Sequence, residues 1–137
     1  MRAVVVAVDW SPVSGRAAEL AAEIAHGLAA RCILLHVRPS PERKAESTSS
    51  EAPSRSGAPA AEAKAWLSKV RQAGAEEVEL VVLDGSPVEA ILSYLRANPP
   101  DLLVFGRRGT SPGTALLLGG VSSALLQQAR CPVLVVP

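Results

Sequence analysis

Between Gly106 and Ser123 the chain reads GRRGTSPGTALLLGGVSS, with Gly106 and Gly109 near its start and Gly119 and Gly120 near its end. Glycine lets a backbone approach a ligand closely. The free N–H groups at a helix start, with the helix dipole behind them, favour an anion. Ser122 and Ser123 add hydroxyls, and Arg107 and Arg108 could screen phosphate charge. The chemistry is therefore that of a phosphate cradle, although Gly, Ser, Thr and Pro also make ordinary loops. No GK[ST] is present, so this is not a Walker loop, and the dinucleotide fingerprint would follow the first strand instead.

Asp9 is the second candidate. It ends an apolar run and precedes Ser11-Pro12, which reads as an N-cap followed by Pro at the first helical position. With Ser11 available as the cap, Asp9 is free for a ligand or for indirect contact with Mg2+. No Ser-His-Asp or Cys-His arrangement and no carboxylate pair stands out, so no catalytic residue is assigned. His26 and His36 have no partner suggesting a metal or a base and read as structural. Cys32 and Cys131 lack metal-ligand spacing and read as small buried hydrophobes.

Strand and helix signals alternate around these residues. Ala3–Val8, Cys32–Val37, Val78–Leu83, Leu102–Phe105 and Val133–Val136 read as strands. The first helix should turn Ala17, Leu20, Ala21, Ile24 and Leu28 inward. A second, from about Ala60 to Ala73, should bury Ala63, Trp66, Leu67 and Val70 and stop at Gly74. A third opens on Ser86-Pro87-Val88-Glu89, read as a capping box, and carries Val88, Ile91, Leu92 and Leu95. A fourth runs from about Gly120 to Ala129. From Arg38 to Pro59 the composition is rich in Ser, Pro, Glu, Ala and Arg and too poor in apolar residues to order itself. This stretch is expected to be a disordered insertion, with a mobile lid or a modification site as the alternative.

The β-α alternation implies one α/β domain with a parallel sheet, right-handed crossovers and helices on both faces. Such sheets bind ligands beyond the carboxyl ends of their strands, where strand order reverses. The bulk numbers agree. The 137 residues suffice for one domain, and with 48% hydrophobic but only 3% aromatic residues the core must be aliphatic. A net charge of +1 gives no general attraction to nucleic acid or to an anionic membrane. No apolar run reaches bilayer length. The start, MRAVVVAVDW, reads as a buried strand rather than a signal peptide, and a cytoplasmic location is expected.

The spacing Gly106-x2-Gly109-x9-Gly119 resembles the nucleotide-binding motif of the universal stress protein family, G-x2-G-x9-G-[S/T]. DLLVFGRRG, CPVLVVP, VVVAVDWSP, ILLHV and DGSPVEAIL are also similar to that family, so the resemblance covers nearly everything except Arg38 to Pro59. It implies a doubly wound five-stranded parallel sheet of order 3-2-1-4-5, of the adenine nucleotide alpha hydrolase-like type, with the first and fourth strands flanking the switch point. It further implies ATP, with or without Mg2+, bound by Ala7, Asp9, Val37, Gly106, Arg108, Gly109, Gly119, Gly120, Val121 and Ser122. Asp9 would lie near ribose and phosphates, Val37 beside adenine. A homodimer through the last strand, Val133 to Val136, is implied as well.

The chain departs from the motif at Gly120, where the family has Ser or Thr. One hydroxyl donor to phosphate is thereby missing, which should weaken binding roughly tenfold to a hundredfold. The function expected is a nucleotide-dependent regulatory protein of the stress response, with at most slow ATP hydrolysis. A dimeric scaffold that no longer binds nucleotide is the alternative. A phosphoacceptor domain would need a second acidic residue after Asp9, where Trp10 stands. A flavodoxin-type carrier would need its phosphate loop after the first strand and aromatics around the flavin.

Overall fold

A computed structural model describes residues 2–38, 52–107 and 120–137, with side chains of the helix that opens at residue 52 described from residue 61 onward. Its elements are β1 (Ala3–Ala7), α1 (Pro12–Leu28), β2 (Arg31–Arg38), α2 (Ala52–Gln72), β3 (Val78–Asp84), α3 (Pro87–Ala97), β4 (Leu102–Gly106), α4 (Gly120–Gln128) and β5 (Val133–Val136). The five strands form one sheet in the order β3-β2-β1-β4-β5, and the pairings are parallel throughout. This is the doubly wound order that the family resemblance implied. β1 lies at the centre, so its residues face helices on both sides. Val4, Val5 and Val6 are buried accordingly, as β-branched residues of a central strand should be.

Alternate residues of each strand serve two cores. Val4, Val6, Cys32, Leu34 and Val104 pack with α1 and α2. Val5, Ile33, Leu35, Leu103 and Phe105 pack with α3 and α4. The face of α1 differs from the expected one. Ala17, Ala18, Ala21, Ala22 and Ala25 are fully buried, whereas Leu20 and Leu28 are exposed. A stripe of methyl groups lets the helix lie close on the sheet, which leaves the two leucines at its flanks. On α2 the expected face holds, with Ala63 and Val70 buried and Trp66 and Leu67 packed against the core that Val70 joins.

Two boundaries also differ. α2 begins at Ala52, ahead of the expected Ala60, so the expected insertion overlaps regular helix at 52–59; residues 39–51 lie outside the described ones. The capping box at Ser86 does not form. Ser86 is the N-cap of α3 and Pro87 follows in the first turn, but the serine side chain makes no capping hydrogen bond. Ser86 is exposed, so water can serve the first-turn amides in its place. Gly74, with φ of 125°, stops α2 in a conformation that side chains disfavour.

Candidate functional site

β1 and β4 are neighbours, and their last registered pair is Val6 with Val104. Three residues beyond Val6 lies Asp9, and two beyond Val104 lies Gly106. Between these points β1 turns into α1 on one side of the sheet, while the chain leaving β4 returns through α4 on the other. The crevice of the switch point thus has Asp9 on one wall and Gly106 on the other.

Asp9 is half-buried. Its Oδ1 accepts a hydrogen bond from the Ser11 amide at 3.0 Å, so the carboxylate spans the turn that leads into α1. Ser11 is the N-cap of α1 as expected: its side chain accepts from the Ser14 amide at 3.2 Å. Ser11 thus takes the cap as expected, and Asp9 has a duty in the turn besides. One carboxylate oxygen shapes the turn, and the described residues offer Oδ2 no partner. Between the two, Trp10 has φ of 66°. A left-handed backbone at a bulky aromatic residue is an outlier that costs about 1–3 kcal/mol, so other contacts must hold it.

Those contacts come from the sheet and from α2. The Trp10 indole N–H donates to His36 Nε2 at 3.2 Å. His36 Nδ1 lies 2.9 Å from the Val8 carbonyl oxygen. A carbonyl can only accept, so Nδ1 carries the proton, Nε2 is the acceptor, and the ring is neutral in this arrangement. The Trp10 and His36 rings are 4.8 Å apart, and Trp66 of α2 meets Trp10 edge-on at 5.0 Å. Sequence reasoning missed this cluster. His36 shares the strand face of Cys32 and Leu34, and that parity beside a tryptophan at the end of β1 was the available signal.

On the opposite wall, Gly106 closes β4 in register with Val136. The Ser122 hydroxyl, in the first turn of α4, donates to the Gly106 carbonyl at 2.8 Å and is buried. This bond holds the start of α4 against the end of β4. It also commits the hydroxyl proton, so Ser122 can accept from a ligand but cannot donate to phosphate while the bond stands. That corrects the expectation of a free Ser122 donor. The first-turn amides of α4 remain, since helix N-termini leave them without helical partners. Gly120, the first residue of α4, is exposed, and a Cβ placed on it would meet open space.

Ala7 and Val37 are both half-buried and pack on the α3–α4 face. Val37 pairs with Leu83 near the outer end of β2, where Arg38 and Asp84 close the sheet with an ion pair at 2.9 Å. Val121 is exposed on α4. Arg107 is exposed, and its amide donates to the Val136 carbonyl. Arg108, Gly109 and Gly119 lie outside the described residues.

Among the described residues no group of three or more His, Cys, Asp or Glu could hold a metal ion. Of the oxygen ligands a divalent cation takes, the described residues at the end of β1 offer the Asp9 carboxylate, and the others would have to come from a ligand or from water. Cys32 is fully buried, and burial pushes its thiol up to about 12. It behaves as the small hydrophobe expected.

The comparisons with known proteins bear on the family and the fold. A protein from Thermus aquaticus described as "Universal stress protein in QAH/OAS sulfhydrylase 3'region" is 32% identical over 136 residues, which is 98% of either chain. A universal stress protein whose crystal structure holds cAMP superposes with a TM-score of 0.77 at 28% identity, covering 99% of this chain and 96% of that one. A universal stress protein from Archaeoglobus fulgidus in complex with dAMP gives a TM-score of 0.74 at 25% identity, covering 100% and 98%. The family model for universal stress proteins matches residues 1–137, and on that match, with the same sheet order, the chain belongs to the universal stress protein family.

Proposed function

We propose that this chain binds ATP, with or without Mg2+, in the crevice between β1 and β4, and acts as a nucleotide-dependent regulatory protein of the stress response. The observation that carries this reading is the switch point itself. A half-buried carboxylate at Asp9 stands on one wall, and the start of α4, tied to Gly106, stands on the other. Adenine would lie toward Val37 and Ala7. Phosphates would lie along the loop from Gly106 through Arg108, Gly109 and Gly119 to the amides of Gly120, Val121 and Ser122. Mg2+ would contact Asp9 indirectly through the phosphates. The cAMP and dAMP held by structural relatives support the adenine class. Hydrolysis would be at most slow, since among the described residues no side chain of the crevice is arranged as a general base. The protein would work in the cytoplasm as a homodimer through β5.

The dimeric scaffold without nucleotide is the second reading. Two observations favour it: Gly120 lacks the family's hydroxyl, and the Ser122 hydroxyl proton is spent on the Gly106 carbonyl. Calorimetry with ATP and Mg2+ decides between them. Saturable binding below millimolar nucleotide, abolished in Gly109→Val, supports the first. No heat at millimolar ATP, and no nucleotide co-purifying with the protein, supports the scaffold.

A further inference from the structure

We propose that Trp10 and His36 are positioning residues for the Asp9 turn, and that they hold it only while His36 is neutral. This deepens the nucleotide reading above and rests on it for its ligand. Trp10 lies directly between Asp9 and Ser11, the two residues joined across the turn. Its left-handed backbone is not favoured by its own side chain, so the indole must be anchored elsewhere. The anchors are the indole N–H bond to His36 Nε2 and the edge contact from Trp66. His36 is fixed in turn by its Nδ1–H bond to the Val8 carbonyl, one residue before Asp9. The ring thus grips the chain on both sides of Asp9.

Protonation removes one of these bonds by necessity. An imidazolium carries a proton on each nitrogen and cannot accept from an indole N–H. The bond to Val8 survives, while the Trp10 bond becomes a clash of two donors. The turn then loses the contact that offsets its backbone strain, and Asp9 loses its fixed place beside the crevice.

Among the described residues, the elements packed around the ring carry these charged groups. Asp9 lies on the β1–α1 turn. Glu19 of α1 is paired with Lys69 of α2 at 3.6 Å, and Lys69 sits over Trp66 at 5.7 Å. Glu62 lies one turn before Trp66 on α2. Arg38 and Asp84, paired with each other, follow His36 and its register partner Val82 on the same strand face.

The test has two arms. In the ligand-free protein, the amide resonance of Ser11 and the indole resonance of Trp10 are followed by NMR between about pH 5 and 8, the range in which imidazoles change charge. Both should move with one midpoint, and neither should move in His36→Gln, whose side-chain oxygen can accept from the indole without titrating. In the second arm, ATP affinity is measured across the same range for both proteins. Their ratio cancels the nucleotide's own titration. Wild-type affinity should fall roughly fivefold at the acid end relative to His36→Gln, the equivalent of one hydrogen bond.

An indole resonance that does not titrate, or that titrates equally in His36→Gln, overturns the proposal. So does a Ser11 amide that stays still while the indole moves, or an affinity ratio flat with pH. If ATP binds at no pH, the nucleotide reading falls and this role falls with it, while the two resonances still decide whether the couple itself exists.

Discussion

The Ser122 hydroxyl is bonded to the Gly106 carbonyl across sixteen residues of sequence, at 2.8 Å and out of water. One side chain thereby fixes how the strand that enters the candidate phosphate loop meets the helix that leaves it. Replacing Ser122 by Ala strands a buried carbonyl, at a cost of about 1–3 kcal/mol. The expected result is a lower melting temperature in the ligand-free protein, by a few degrees per kcal/mol. If Ser122 acted on the ligand instead, ATP affinity would fall while the melting temperature held. Differential scanning fluorimetry beside calorimetry separates the two.

Gly120→Ser should restore the hydroxyl that the family motif carries. The new Cβ meets open space and the residue heads α4, so folding should be little disturbed. ATP affinity should rise roughly tenfold, the lower end of what a charge-assisted hydrogen bond contributes. Equal dissociation constants for the two proteins would mean that the amides alone hold the phosphates.

Asp9 has two duties that two variants can divide. Asp9→Asn keeps an oxygen able to accept from the Ser11 amide, so thermal stability should be nearly unchanged, while the gain in ATP affinity on adding Mg2+ should shrink. Asp9→Ala removes the acceptor as well and should lower the melting temperature. A full Mg2+ effect in Asp9→Asn would exclude the carboxylate from any contact with the cation.

β5 is an edge of the sheet. The carbonyls of Pro132 and Val136 accept bonds from β4, so the alternating groups of Val133 and Val135 point outward, where a second copy could pair with them. Val135→Pro deletes one outward N–H. Analytical ultracentrifugation should show a wild-type dimer shifted toward monomer in this variant. A wild-type monomer at high concentration would rule the interface out.

Cys32 gives a pH signature. Its thiol is held neutral in the folded state up to about 12, against an ordinary 9.0. The folded state therefore binds the proton more tightly than the unfolded one, and the associated stability is fully present below pH 9 and declines as pH rises toward 12. Urea midpoints measured from pH 8 upward should fall, and the fall should be smaller in Cys32→Ala. At pH 8 the folded protein should leave Cys32 unmodified by a thiol reagent that labels the half-buried Cys131.

The parallel α/β architecture was legible in the alternation of strands and helices, which is a local pattern, and the strand order 3-2-1-4-5 followed from the family resemblance and is the order the sheet has. What was not legible depends on distance. Trp10, His36 and Trp66 are far apart in the chain, and only the register of β2 with β1 and the packing of α2 bring them together. The inward face of α1 was misread because Leu20 and Leu28 outweigh alanines on any hydrophobicity scale, whereas close approach to a sheet selects for small side chains. Ser86 was misread as a capping box because the spelling shows a capacity for the bond and not whether water takes its place.

The alanine stripe of α1 also divides the domain's tolerance of mutation by face. On that side, five fully buried methyls pack against Val4, Val6, Leu34 and Val104. Truncation there removes little, while a single enlargement such as Ala21→Leu must push helix and sheet apart, at about 1–3 kcal/mol or more. On the other side, Leu103, Leu125, Ile91 and Phe105 fill the core with large side chains, and shortening one leaves a cavity that costs about 2–5 kcal/mol. The helix side of the first face thus fails by crowding and the second face by hollowing, so sequence drift is confined to small side chains along the α1 stripe and to swaps of near-equal volume among the large residues of both cores.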